Sequence, residues 1–219
     1  MSSLTPISVA DAKTFIGYWD QTRINSSVVN NIFQSGYYFM IDIVDLPPSL
    51  TGTSGNIHGY LALDTLTNPG SSNLKMILIS EAEDMALWND PSFPAQAFVV
   101  PYEYGITMGE TNPSWQTYYE QMQRWNNGYQ AWVNSVNISS TEKLTRAFII
   151  PMTDIQRSSE HVTTKYAYFA LKDEGAVEER IDLLFYETNG SFVGLLPDDF
   201  TTPVPPFPNG KTGWGLLKL

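Results

Sequence analysis

The hydrophobic pattern of the first half of the chain predicts two helices followed by three strands. Apolar residues recur at three- and four-residue spacing after Ser8, which can cap a helix, and again over residues 27–33. Residues 37–46 change to a period of two, which is typical of a strand. Two more strands, 58–64 and 74–80, flank a Pro-Gly turn and predict an antiparallel hairpin.

The same order of patterns begins again at residue 113. Residues 115–136 carry apolar side chains at helical spacing, which predicts one helix, or two helices separated at residues 126–128. Three strands are predicted after it, at 146–151, 164–171 and 180–187, and the last two flank a charged turn. The second half therefore repeats the plan of a helical segment, a strand and a hairpin.

Corresponding positions in the two halves lie 106 to 110 residues apart. Trp125 follows Trp19 by 106 residues, and Arg180 follows Leu74 by the same interval. We expect an internally duplicated α+β protein, with a helix-helix-strand-hairpin unit over 1–112 and another over 113–219. The units form two domains or one continuous domain with a pseudo-two-fold axis, with antiparallel strands and helices packed on one face. The alternative is that two unrelated halves share a common element order.

Composition limits the possible functions. The 219 residues are 42% hydrophobic and 16% charged, which supports a packed core. The net charge of −11 argues against nucleic acid or a membrane surface as partner. The absence of cysteine excludes disulfides and thiolate chemistry, and no cofactor is expected. With no signal peptide or spanning segment recognised, we expect a cytoplasmic protein, as a monomer or small homo-oligomer.

Carboxylates supply the candidate catalytic and metal-binding residues. Asp42 and Asp182 each interrupt an apolar strand, where a carboxylate can mark a general acid or base. The alternative is that both face solvent on an open side of the sheet. Glu81, Glu83 and Asp84 follow a strand and are candidate ligands for a divalent cation, although acidic residues at such positions are usually only solvated.

Aromatic and histidine residues supply weaker candidates. Trp115, Trp125 and Trp132 resemble a platform for stacking sugars or peptides, but their helical spacing favours the core. His161, beside Ser159 and Glu160, would need catalytic partners from elsewhere in the chain, and a solvated loop is the favoured interpretation. His58 could pair with a carboxylate, but a solvated position on an edge strand is the favoured interpretation. The proline-rich segment 203–208 is interpreted as a closing loop.

Two functional hypotheses follow from these residues. The first is a non-catalytic binding or protein-interaction protein, with a protein or a small molecule as its partner. The second is a carboxylate-dependent hydrolase, for example one acting on a glycan, with its site between the two halves. The hydrolase requires two carboxyl groups that face each other across a pocket, roughly 5 to 9 Å apart for a glycoside.

Overall fold

A computed structural model describes residues 4–44, 46–51, 54–105, 116–137, 144–156, 162–172, 180–188, 202–204 and 212–218. Its helices are α1 (Val9–Thr22), α2 (Ser26–Ile32), α3 (Glu81–Asn89), α4 (Gln116–Asn137) and α5 (Met152–Ile155). Its strands are β1 (Thr5–Ile7), β2 (Tyr37–Asp42), β3 (Asn56–Leu63), β4 (Leu74–Ser80), β5 (Ala97–Tyr104), β6 (Ala147–Pro151), β7 (Thr164–Lys172), β8 (Arg180–Thr188) and β9 (Thr202–Val204). A 3₁₀ turn occupies Gly215–Leu217.

Side-chain caps explain where three of the helices begin. The Ser8 hydroxyl accepts a hydrogen bond from the Asp11 amide at 3.0 Å, so α1 begins where the sequence predicts. Asn25 caps α2, and Ser80 caps α3. The α3 helix was not predicted, because its first turn is acidic and lacks an apolar period. The described part of α4 is a single helix, which decides between the two alternatives for residues 115–136.

The strands form a nearly closed antiparallel barrel. Their order is β8-β7-β2-β5-β4-β3-β6-β9, with β1 paired beside β5. The predicted hairpin is confirmed, since β3 pairs antiparallel with β4. The two ends of the sheet, β8 and β9, contact each other without a described ladder between them. The fold is therefore of the α+β class, with a mostly antiparallel sheet.

Alternate residues of the strands fill the barrel interior together with residues of α2 and α4. The Phe33 ring after α2 lies 5.2 Å from the Trp125 ring of α4 and 5.1 Å from the Phe169 ring of β7, measured between centroids. The strands contribute fully buried residues that include Phe39, Ile41, Leu61, Met76, Leu78, Val100, Phe148 and Leu183. This cluster is the main hydrophobic core of the described residues.

The prediction that the helices pack on one face of the sheet is not confirmed. Trp125 of α4 contacts the barrel interior, whereas Ile16 of α1 and Leu87 of α3 pack on the outer face of β3 and β4. Met122 of α4 packs on the outer face of β7 and β8. The physical reason is that strands such as β3 bury both faces, with every residue from Ile57 to Leu63 buried. A strand that is apolar on both faces must be covered twice.

Among the helices that the structure describes, none combines the length and the apolar character needed to cross a membrane.

Candidate functional site

A groove runs between α1 and the segment of residues 212–218 and encloses about 630 Å³. This volume lies within the range of small-molecule sites, which is roughly 300 to 1,000 Å³. Its apolar lining includes Ile24, which is 55% exposed, and Leu217. The described lining residues are Lys13, Thr14, Ile16, Gly17, Tyr18, Asp20, Gln21, Ile24, Arg146, Leu216 and Leu217.

The helical period of α1 explains why the groove lies on its side. Ile16 is buried against the barrel, whereas Lys13 and Gly17 share the side of α1 that faces the groove, and Ile24 lies two residues after the helix ends. Gly17 leaves this wall of the groove without a side chain. A Cβ atom added there would meet no heavy atom within 4 Å, so the groove extends close to the helix backbone.

Charged side chains line the groove with a small excess of positive charge. Lys13 and Arg146 line it, and Asp20 is the one acidic residue among its described lining residues. The Asp20 carboxylate accepts from Arg146 Nη2 and, at 2.8 Å, from Arg23 Nε. Burial lowers the pKa of the Arg146 guanidinium, but arginine stays protonated in proteins. The groove therefore combines an apolar wall with fixed cations.

A buried polar cluster fixes the 212–218 segment that forms the second wall. Asp84 of α3 is fully buried. Its Oδ2 lies 2.7 Å from His58 Nδ1 and accepts a hydrogen bond from the Tyr60 hydroxyl. Its Oδ1 accepts from the Leu216 amide at 2.9 Å. One carboxylate thus joins α3, β3 and the 212–218 segment.

Trp214 closes this cluster to solvent. Its indole stacks on the His58 ring, with centroids 3.9 Å apart and planes 10° apart. Burial, with a smaller contribution from the charge of Asp84, raises the pKa of Tyr60 well above its ordinary value. A carboxylate beside a ring nitrogen, as Asp84 lies beside His58, can orient a catalytic imidazole, but His58 is only 3% exposed to solvent. The geometry therefore indicates that the cluster holds the groove wall in place.

Close packing and main-chain hydrogen bonds complete the attachment. Gly215 has no room for a side chain, because an added Cβ atom would lie 2.7 Å from the Trp88 amide nitrogen. Lys218 Nζ donates to the Trp88 carbonyl at 2.6 Å, and Lys13 Nζ donates to the Lys218 carbonyl at 2.7 Å. Lys13 thereby joins the two walls of the groove.

The structure does not bring the two candidate catalytic aspartates together. Asp42 is half-buried at the end of β2 and accepts from the Val44 amide at 3.1 Å. Asp182 is fully buried and lies 3.0 Å from Lys172 Nζ, which corrects the alternative that it faces solvent. On β7 their strand neighbours are Thr164 and Ala170 respectively, so they lie about 20 Å apart along the sheet.

The acidic run at the start of α3 does not converge on one point. Glu81 accepts from Asn56 Nδ2 at 2.9 Å, and Asp84 points into the buried cluster. Glu83 lies in the first helical turn, where a negative charge interacts favourably with the helix dipole. Over the described part of the chain, no group of three or more His, Asp or Glu side chains could hold a metal ion.

The tryptophan candidates divide between the core and the undescribed residues. Trp125 and Trp132 are 2% and 6% exposed and belong to the barrel core, so they offer no surface for stacking a ligand. Trp115 lies outside the described residues, as do His161 with its neighbours Ser159 and Glu160. Of the proline-rich segment 203–208, residues 203 and 204 are described, and Pro203 is paired with Phe148 in the sheet.

Sequence reasoning missed a charged pair inside the barrel. Lys165 Nζ lies 2.8 Å from Glu187 Oε1 and donates to the Asp154 carbonyl, and the three residues are buried. The alternation of inward- and outward-facing residues along β7 and β8 could have indicated this pair. Lys165 shares its phase with the interior residue Phe169, and Glu187 shares its phase with Phe185.

Comparison of the chain with protein-family models, with curated proteins and with solved structures finds no match. The groove, its charges and its attachment to the barrel therefore supply the grounds for a functional proposal.

Proposed function

We propose that this is a non-catalytic binding protein whose ligand site is the groove between α1 and the 212–218 segment. The observation that carries the proposal is a volume of about 630 Å³ with exposed apolar wall residues beside fixed charges. Small-molecule sites typically combine an apolar lining with a few polar groups that orient the ligand. Exposed Ile24 and half-buried Leu217 supply the first, and Lys13 and Arg146 supply the second.

The geometry favours binding over hydrolysis. A glycoside hydrolase needs two carboxyl groups across one pocket. Asp20 is the one acid among the described residues of the groove, and two guanidinium groups already contact it. The separation of Asp42 and Asp182 along β7 removes that pair from consideration as partners across a single substrate.

A fluorescence titration with the neutral probe N-phenylnaphthylamine tests the proposal. Gly17→Leu places a side chain in the groove, so we expect its affinity for the probe to fall by about tenfold or more. Gly128→Leu is the matched control, since Gly128 is also a helical glycine with open space around its Cβ position and lies on α4. Equal affinities of wild type and Gly17→Leu, or no binding by wild type, would contradict the proposal.

We also propose that the barrel arose from two copies of one unit, over 1–112 and 113–219. Around the barrel, the order β2-β5-β4-β3 of the first half is followed by β6-β9-β8-β7 of the second half. If β6, β7, β8 and β9 are taken as the counterparts of β2, β3, β4 and β5, replacing each strand by its counterpart turns the first order into the second. The register supports the same relation, since Phe39 opposite Ala167 corresponds to Phe148 opposite Gly59.

Helix packing supports the same relation. Ile16 of α1 packs in one outer cluster with Tyr60, and Met122 of α4 packs in another with Tyr168. The strand register shifts by one residue the predicted match of Leu74 with Arg180. Ile181 is the better counterpart, because Leu74 and Ile181 both face the barrel interior.

Co-expression of fragments 1–112 and 113–219 tests the two-unit organisation. The cut falls between β5 and α4, and pairing of β3 with β6 and of β2 with β7 would rejoin the fragments. We expect the fragments to co-purify in equal amounts with the circular dichroism spectrum of the intact chain. Fragments that never associate would count against units with these boundaries.

A further inference from the structure

We infer that the ligand of the groove is a small amphiphile with one anionic group, such as a carboxylate, attached to an apolar body. This inference rests on the proposed function, because it names the ligand class of the same groove. It adds the charge of the ligand and the residue that recognises it.

The distribution of basic residues supports an anion. The whole chain has 12 Lys and Arg and a net charge of −11. Two of these basic residues, Lys13 and Arg146, line the groove against one acidic residue, Asp20, so its described lining carries a net positive charge of 2 − 1 = +1. A local excess of positive charge in a strongly acidic protein attracts an anion and repels a cation.

Lys13 is the side chain best placed to receive the anionic group. Its ammonium has three donors, and one of them is used on the Lys218 carbonyl at 2.7 Å. The other two can bind an oxygen anion at this end of the groove. Hydrogen bonds to a charged group are about twice as strong as neutral ones, which gives the anion its advantage.

The shape of the groove supports an extended apolar body. Lys13 and Gly17 lie one turn apart on one side of α1, and Ile24 lies two residues past its end at Thr22, so the three residues follow one another along the groove. A medium-length alkyl chain can follow this line past the open wall at Gly17 and end against Ile24. Ile24 is 55% exposed, so covering it removes a large apolar side chain from water.

Three compounds with apolar chains of nearly equal length separate the effect of charge from that of the apolar chain. Decanoate, decanol and decyltrimethylammonium are each used to displace N-phenylnaphthylamine from the intact protein. We expect decanoate to displace the probe at about tenfold lower concentration than decanol, and the cation to be weakest. Similar midpoints for decanoate and decanol, or a tighter-binding cation, would overturn the inference.

Two lysine variants test the assigned residue. Lys13→Gln removes the charge and leaves an amide donor in its place, so we expect decanoate binding to weaken about tenfold more than decanol binding does. Lys75→Gln is the control, since Lys75 lies on β4 and pairs with Asp64 at 3.3 Å. Equal decanoate binding by the two variants would overturn the role of Lys13.

The outcomes for the two proposals are distinguishable. If the probe binds and Gly17→Leu blocks it, but the three compounds compete equally, the groove is a binding site and its preference for anions is refuted. If the probe does not bind wild type at all, the proposed function itself fails, and the inference about the ligand fails with it.

Discussion

Replacement of Asp84 by alanine is expected to loosen the 212–218 segment from the barrel. The Asp84 carboxylate is the common partner of the Tyr60 hydroxyl, the Leu216 amide and His58 Nδ1. These groups are buried, so water cannot replace the lost acceptor without opening the packing around Trp214. The variant therefore tests whether one carboxylate attaches the second wall of the groove.

The structure sets the size of the expected loss. A buried polar group left without a partner costs about 1 to 3 kcal/mol, and three such groups lose their acceptor here. Even at the low end of this range, the three costs together come to about 3 kcal/mol. We therefore expect Asp84→Ala to lower the free energy of unfolding by about 3 to 5 kcal/mol, a large part of the roughly 5 to 15 kcal/mol of a natural protein.

Urea unfolding, followed by circular dichroism and tryptophan fluorescence, measures this loss. Asp90→Ala is a control at the other end of α3, where the carboxylate is exposed, and we expect it to change stability little. Binding of N-phenylnaphthylamine to folded Asp84→Ala should also weaken, because Leu216 and Leu217 form part of the groove. A loss below about 1 kcal/mol, the size of an ordinary substitution, would refute the attachment by Asp84.

Three further predictions concern stability. Gly17→Ala should raise the free energy of unfolding by about 0.5 to 1 kcal/mol, because alanine favours a helix and its Cβ meets open space; a lower melting temperature would contradict this. Glu187→Ala should lower the free energy of unfolding, measured in urea, by about 3 kcal/mol or more, because Lys165 stays buried without that carboxylate; an unchanged urea midpoint would contradict this. Burial raises the pKa of Tyr60 and Tyr102 in the folded protein. Above about pH 10 the unfolded chain therefore loses these protons before the folded protein does, and the free energy of unfolding should fall as the pH rises further. Tyr102→Phe should reduce the steepness of that fall, and equal slopes for variant and wild type would contradict the assignment.

The sequence predicted the elements best where a local pattern decides the structure. Residues 37–42 alternate and form β2, and Ser8 caps α1 as expected. The α3 helix escaped prediction because Ser80 and the buried side chains Asp84 and Leu87 define it, and they are not spaced as an apolar stripe. Its stability depends on contacts with β3 and β4, which a short acidic segment does not reveal.

Closure of the barrel could not be predicted from local patterns. Pairing of β2 with β7 and of β3 with β6 joins residues that are distant along the chain, and alternation alone does not choose among partners. The same limit applies to the packing of the helices. The apolar pattern of β3 shows two faces to be covered, but it does not identify which helix covers each one.

The candidate site was hidden from the sequence for a related reason. The groove joins α1 to Leu217, from opposite ends of the sequence, and each side of it is an ordinary surface when considered alone. Asp84 was singled out as a possible metal ligand because it is acidic. Its role became visible only when the fold placed His58, Tyr60 and Leu216 around it.

Amide chemical-shift mapping during titration with decanoate tests the proposed groove most directly. We predict that the largest shifts occur at Lys13, Gly17, Ile24 and Leu217, that they saturate at about tenfold or more higher decanoate concentration in Gly17→Leu, and that they are unchanged in Gly128→Leu. Saturating shifts confined to the outer face of β7 and β8, or no saturating shifts at all, would contradict it.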